Sequence, residues 1–387
     1  MKKNILIGIT GGIAAYKIPF LIRLLKKNDY EVKIILTANA KKLVSEYTLE
    51  VLSGNKVFSE IFNDEKSYNI DHISLSKWAD QFIIAPATAN IIAKLATGIA
   101  DNLLTSVFLA TNAIKSICPA MNSNMYNNPI TQKNINTLSK FGVNIIGPES
   151  GFLACGDEGK GRMVEIEDIF QKIEFNVTEP ILKGKKIIIS AGPTQEYIDD
   201  VRFITNPSSG KMGYALAEVA RNMHGEVTLI SGPVNISPPR DVNTIHVISA
   251  KEMYKNILSK KADIYIMCAA VCDILPAHSD GKLDKYSFPN EINISKNKDI
   301  ISDIKKKYPN SNVIGFSAEY GFNIERAKQK MERKNIDAIV LNDISRKDIG
   351  FSSDMNEVLI IKKDGKKIKI ELNHKKFIAK QILKNVC

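Results

Sequence analysis

The residues able to do chemistry fall into a few glycine-rich and amide-rich stretches. Residues 151–162 hold one thiol, Cys155, among Gly151, Gly156, Gly159 and Gly161. Four glycines let such a loop move as a flap, and a thiol in a flexible polar loop, outside any apolar run, favours a catalytic reading. A purely structural thiol is the competing reading for a lone cysteine. The run Cys118-Pro119-Ala120-Met121-Asn122-Ser123-Asn124-Met125-Tyr126 passes from an apolar stretch into a loop of side-chain amides, which donate and accept without carrying charge. His72, in Asn69-Ile70-Asp71-His72-Ile73, has a spacing that on its own gives it a structural role. Three loops, Thr10-Gly11-Gly12, Thr37-Ala38-Asn39 and Ala85-Pro86-Ala87-Thr88-Ala89-Asn90, join small residues to hydroxyls, the make-up of a phosphate cradle. Gly8, Gly11 and Gly12 do not fit the GxGxxG spacing, so a mononucleotide is expected there in place of NAD.

Each of these loops follows a short apolar run. Residues 4–9, 32–37 and 81–85 read as strands buried on both faces, and 13–26 has helical spacing. The second half repeats the plan: 186–190 ends at Ala191-Gly192-Pro193-Thr194, a helix pattern covers 213–221, and 227–231 supplies the next strand. The expected fold is α/β, two Rossmann-like domains in series over 1–180 and 181–387, with the junction in 176–184. Residues 357–372 alternate around Asp364-Gly365 as a hairpin, so the second sheet should be mixed. A length of 387 residues with 44% hydrophobic and 25% charged residues excludes a disordered or fibrous chain. Five cysteines, at 118, 155, 268, 272 and 387, form no disulfide framework, and no long apolar run suggests a membrane span or an export signal. A cytoplasmic protein is expected.

Residues 1–182 carry 19 Lys+Arg against 18 Asp+Glu, and residues 183–387 carry 34 against 24. A basic second half suits an anionic ligand. The lysines around Asp364-Gly365 have the plainer reading of a solvated hairpin, and no basic stripe interleaves aromatics, which disfavours nucleic acid.

Together, Gly11-Gly12-Ile13-Ala14-Ala15-Tyr16-Lys17, Ala85-Pro86-Ala87-Thr88-Ala89-Asn90, the Pro-Ala-Met-Asn-x-x-Met run and Ala154-Cys155-Gly156 resemble the flavin-dependent cysteine decarboxylases. The second half is similar to phosphopantothenate–cysteine ligase through Ala191-Gly192-Pro193-Thr194, residues 206–213 and Cys268-Ala269-Ala270-Val271, in the domain order of the bifunctional coenzyme A biosynthesis family. For the first half, a flavodoxin-like flavoprotein, the resemblance implies FMN-dependent decarboxylation of 4′-phosphopantothenoylcysteine. FMN would lie against Thr10, Gly11, Gly12, Thr37, Pro86, Ala87, Thr88 and Ser106. His72 would act at the oxidation and decarboxylation steps, Asn122 would hold the substrate carboxylate, and Cys155 would return a proton.

For the second half, the resemblance implies joining of 4′-phosphopantothenate to L-cysteine with CTP through an acyl-cytidylate, with Mg²⁺ beside the triphosphate. Cys268, Ala269, Asp273, Lys282, Lys298, Asp299, Ile300, Ile301, Phe316, Lys330 and Lys334 match nucleotide contacts, and Arg202 and Asn206 match residues handling the acyl group. Lys330 and Lys334, four apart, share one helix face, which also describes a solvated stripe. Thr205 stands where a Walker A loop needs glycine ahead of Gly210-Lys211. This chain reads Asn297-Lys298-Asp299 where relatives have Asn-Pro-Asp, and in Gly281-Lys282-Leu283-Asp284-Lys285 either Lys282 or Lys285 is the mobile loop lysine, Lys282 being preferred. A homo-oligomer built on trimers is implied. The alternatives are a decarboxylase whose ligase half has degraded, or a non-catalytic flavin-binding regulator.

Overall fold

A computed structural model describes residues 3–61, 70–154, 156–284, 291–345 and 353–387. They divide into two compact units, Met1–Val177 and Thr178–Cys387.

The first unit is a parallel sheet of β1 (Asn4–Ile9), β2 (Glu31–Leu36), β3 (Val57–Phe58), β4 (Gln81–Ala87), β5 (Ile114–Pro119) and β6 (Asn144–Ile145), in spatial order 3-2-1-4-5-6. Set aside the two-residue edge strand β3 and the other five follow the order of flavodoxin-like sheets. The strands are flanked by α1 (Ile18–Lys27), α2 (Glu46–Ser53), α3 (Asp71–Trp78), α4 (Ala89–Thr97), α5 (Leu103–Ala110), α6 (Ser123–Asn127), α7 (Pro129–Lys140) and α8 (Ile166–Val177). A separate antiparallel hairpin, β7 (Glu149–Phe152) with β8 (Glu158–Arg162), precedes α8. Period-two alternation explains the layers: Ile5, Ile7 and Ile9 of β1 enter one core with α1 and α8, while Leu6 enters the opposite core with Phe82 and Ile84.

The second unit runs β9 (Lys186–Ala191), β10 (Gln195–Tyr197), β11 (Phe203–Thr205), α9 (Lys211–Asn222), β12 (Glu226–Ser231), β13 (Asn243–His246), α10 (Ala250–Leu258), β14 (Ile264–Met267), β15 (Ile274–Pro276), β16 (Ile294–Lys296), α11 (Ile300–Lys307), β17 (Asn312–Glu319), α12 (Ile324–Lys334), β18 (Ala338–Asp343), β19 (Met355–Lys362), β20 (Lys367–His374) and α13 (Lys375–Val386). Its main sheet has the order 13-12-9-14-17-18-19-20, parallel as far as β18 and antiparallel from β18 to β20. This is the expected mixed sheet. Every residue of α9 from Met212 to Asn222 is buried, because the helix packs on the sheet and also against α13. Close approach to β9 requires Gly213, where a Cβ would lie 2.5 Å from that of Ala191. Among the described residues no helix is long and apolar enough to cross a membrane.

Candidate functional site

In both units the order of strands reverses beside the first strand, and the loops leaving that reversal point are those singled out by sequence. In the first unit these are the ends of β1 and β4. Thr10 is buried and ties the two together: its Oγ1 donates to Pro86 O at 2.7 Å and accepts from Thr88 N at 3.3 Å. Thr88 in turn caps α4, accepting from Ile91 N at 3.4 Å. Thr37 Oγ1 donates to Ile9 O at 3.1 Å, which fixes the loop after β2 beside that after β1. A Cβ on Gly11 would stand 2.6 Å from Asn39 Cβ, so the Thr10-Gly11-Gly12 turn comes this close only with glycine. Ser106 is half-buried on α5. These loops contain no acidic side chain, and they present small residues and hydroxyls around a strand-to-helix turn. That donor set fits a flavin carrying one phosphate.

A second cluster lies beyond β5. Asn122 caps α6, its Oδ1 accepting from Asn124 N at 2.8 Å and its Nδ2 donating to Asp157 Oδ2 at 3.0 Å. Met121 N donates to Gly161 O at 3.0 Å, and Lys160 Nζ sits 5.5 Å from the Tyr126 ring centre. The stretch read as a glycine-rich flap is thus the hairpin β7–β8 folded over the amide loop. Cys155 lies outside the described residues. His72 is half-buried in the first turn of α3, and among the described residues its buried Nδ1 has no hydrogen-bond partner.

In the second unit the loops after β9 and β14 open into a cleft of about 1120 Å³. It is lined by Asn206, Cys268, Ala269, Asp273, Lys298, Asp299, Ile300, Ile301, Phe316, Lys330 and Lys334, together with the 207–213 turn that opens α9. One wall is a chain of charges on α11 and α12. Lys334 Nζ meets Asp299 Oδ1 at 2.9 Å, and Asp299 also caps α11 through Ser302. Burial pushes the Asp299 carboxyl up, but the Lys334 ammonium and the Ser302 bonds outweigh it and hold the group below the usual range. Lys330 Nζ donates to Ser317 Oγ at 2.9 Å, which donates to Glu319 Oε1 at 2.8 Å. Burial and then the neighbouring Lys334 lower the Lys330 pKa. Asn206 Nδ2 donates to Ala270 O at 3.1 Å and Val271 O at 3.3 Å, which pins the start of the 207–213 turn to the loop after β14.

Arg202 and Lys282 do not line that cleft. Arg202 Nη1 pairs with the fully buried Asp199 at 3.0 Å and donates to Leu283 O at 3.3 Å. Leu283 N donates to Asp199 Oδ2 at 3.2 Å and Gly281 N to Asp200 Oδ2 at 3.1 Å. The loop with exposed Lys282 is thereby tied to the Asp199–Arg202 turn, and Lys285 lies outside the described residues. The wall opposite α12 holds two cations that sequence reading passed over, Lys211 and Lys375. Lys211 has a local signal, since it stands inside the 206–213 stretch that carries the ligase resemblance. Lys375 has no local signal, since only the fold brings the start of α13 to the cleft.

Among the described residues no cluster of three or more His, Cys, Asp or Glu could hold a metal ion.

Residues 1–178 match the family described as Flavoprotein, and residues 182–387 match the DNA/pantothenate metabolism flavoprotein C-terminal domain. The Coenzyme A biosynthesis bifunctional protein CoaBC of Haemophilus influenzae is 45% identical over 389 residues, covering 99% of this chain and 97% of the relative. That of Bacillus subtilis is 40% identical over 392 residues, covering 100% and 97%. A crystal structure of the C-terminal domain of a CoaBC protein is 39% identical, with a TM-score of 0.45, over 53% of this chain and 95% of that one.

Proposed function

The chain belongs to the coenzyme A biosynthesis bifunctional family, two-activity enzymes with a decarboxylase and a ligase in one polypeptide, and from that premise we propose its substrates and the residues that handle them. The second unit joins 4′-phosphopantothenate to L-cysteine with CTP, and the first decarboxylates the resulting 4′-phosphopantothenoylcysteine to 4′-phosphopantetheine with FMN.

A carboxylate on a saturated carbon has nowhere to place its electrons when carbon dioxide leaves. Bound FMN supplies a reversible two-electron oxidation at the thiol-bearing carbon, which provides that place. The chain does the rest. The Thr10, Thr37 and Pro86–Thr88 loops, with Ser106, hold the cofactor at the switch point. Asn122 Nδ2 holds the substrate carboxylate, His72 moves a proton through its Nδ1, which has no hydrogen-bond partner among the described residues, and Cys155 returns a proton to carbon, since an ordinary thiol is mostly protonated at neutral pH.

In the ligase unit the acid attacks the nucleotide α-phosphate, pyrophosphate leaves, and the cysteine amine then displaces CMP. What supports this reading above all is the cleft at the second switch point, where the cationic wall of Lys298, Lys330 and Lys334 faces the glycine turn of α9. Such a wall suits a triphosphate, with Mg²⁺ as its counter-ion. Asn206 handles the acyl group, while Arg202 and Lys282 act from the neighbouring loop. Homo-oligomers built on trimers and a cytoplasmic location complete the proposal.

Pure protein given 4′-phosphopantothenate, cysteine and CTP is expected to yield 4′-phosphopantetheine, CMP, pyrophosphate and carbon dioxide by mass spectrometry. Accumulation of substrate alone would dismiss the ligase assignment, and accumulation of 4′-phosphopantothenoylcysteine would dismiss the decarboxylase.

A further inference from the structure

The amide proposed to receive the substrate carboxylate already holds a carboxylate of the chain's own. Asp157, in the turn joining β7 to β8, accepts from Asn122 Nδ2 at 3.0 Å. The turn is braced by Leu153 N donating to Asp157 O at 2.8 Å and by Gly156 N donating to Leu153 O at 3.0 Å. The other end of the Asn122 amide, Oδ1, accepts from Asn124 N at 2.8 Å, which orients Nδ2 toward Asp157. The hairpin lies very close here: a Cβ on Gly159 would stand 2.4 Å from Ser123 Oγ. That hydroxyl oxygen is buried beneath the hairpin and makes no hydrogen bond among the described residues.

We infer that Asp157 is a built-in competitor for the substrate carboxylate, a latch that occupies Asn122, yields to 4′-phosphopantothenoylcysteine and returns once that carboxylate has left as carbon dioxide. The inference rests on the reading of Asn122 given above. The two carboxylates oppose one another at this amide, because like charges a few ångströms apart repel. The substrate has an advantage that Asp157 lacks. Once the hairpin lifts, Ser123 Oγ, on the residue next to Asn122, becomes a second donor for its other carboxylate oxygen. The product carries no carboxylate, so it cannot keep the latch off, and reaction itself restores the Asp157–Asn122 bond. Asp157 is a positioning residue, acting through Asn122 and the hairpin.

The test uses the full chain with its flavin, measuring carbon dioxide release with 4′-phosphopantetheine as product inhibitor. Asp157→Asn is expected to lower the ratio of substrate KM to product Ki about fivefold, since a charge-assisted bond is roughly twice as strong as a neutral one. Asp157→Ala should lower it at least as far. A ratio unchanged or raised overturns the latch, and that includes both constants rising together because the hairpin has merely loosened. The wild type gives an independent reading through exchange of the Met121 amide, which donates to Gly161 O. A thiol-methylated substrate that keeps its carboxylate should speed this exchange relative to 4′-phosphopantetheine, and equal rates overturn the proposal. A wild type that releases no carbon dioxide would instead sink the underlying reading of Asn122.

Discussion

Lys375 keeps its ammonium where water scarcely reaches. Burial, and then the Lys211 charge, push its pKa down to about 8, against the weaker pull of Cys268 and Asp354. In the unfolded chain a lysine titrates near 10.4. Between those two values the unfolded state binds more protons than the folded one, so this group makes stability rise with pH across that window. Below it the folded protein bears the full cost of a desolvated cation. Lys375→Met, similar in length and uncharged, should therefore be most favoured over wild type below pH about 8 and lose that advantage by pH about 10. Melting temperatures of the two proteins across this range decide the point, and parallel curves would show that the ammonium is not desolvated. An anion entering the cleft should also bind Lys375 more tightly than it would a lysine in water, because the charge it meets is poorly screened.

At the scale of elements, the β7–β8 hairpin packs on the amide loop with no room to spare. Gly161 has φ +153, and a Cβ there would fall 2.2 Å from Met121 O. Gly161→Ala must therefore lift the hairpin from the amide loop. Carbon dioxide release should drop by about tenfold or more, the effect of losing roughly 1.4 kcal/mol of positioning. CTP-dependent pyrophosphate release, from the other unit, should stay as it was, and an equal loss in both assays would refute this account. The same hairpin shows where sequence runs short. Glycines at 151, 156, 159 and 161 mask any alternation, so the segment reads as a flexible loop, and only contact with Met121 and Ser123 makes strands of it. By contrast, β1, β4, β9 and β14 are buried on both faces and write that into continuous apolar runs. The two-residue strands β3 and β6 and the three-residue strands of β10–β11 and β15–β16 are too short to carry a period. Asp299 was legible as a nucleotide contact by resemblance, but its double duty as helix cap and partner of Lys334 depends on α12 crossing α11, a tertiary fact.

On the scale of the whole molecule, charge divides the labour as the sequence does. Residues 1–182 are close to neutral and residues 183–387 are strongly basic, and the ligase cleft gathers Lys298, Lys330 and Lys334 on one side and Lys211 and Lys375 on the other. Raising ionic strength from about 0.05 M to about 0.5 M shortens the screening length severalfold. The KM for CTP should rise severalfold over that range while the KM for 4′-phosphopantothenoylcysteine moves far less. Initial-rate measurements of the two half-reactions check this, and equal sensitivity would deny the cationic walls their role. The basic balance also reaches the rim of the second sheet. Strand β20 forms its outer edge, with exposed Lys367 and with Lys369 clamped between Glu357 at 3.0 Å and Glu371 at 3.1 Å. Charged side chains on an exposed edge strand, lysine above all, hinder a neighbouring copy from extending the ladder, so this border is guarded against fibre-like growth.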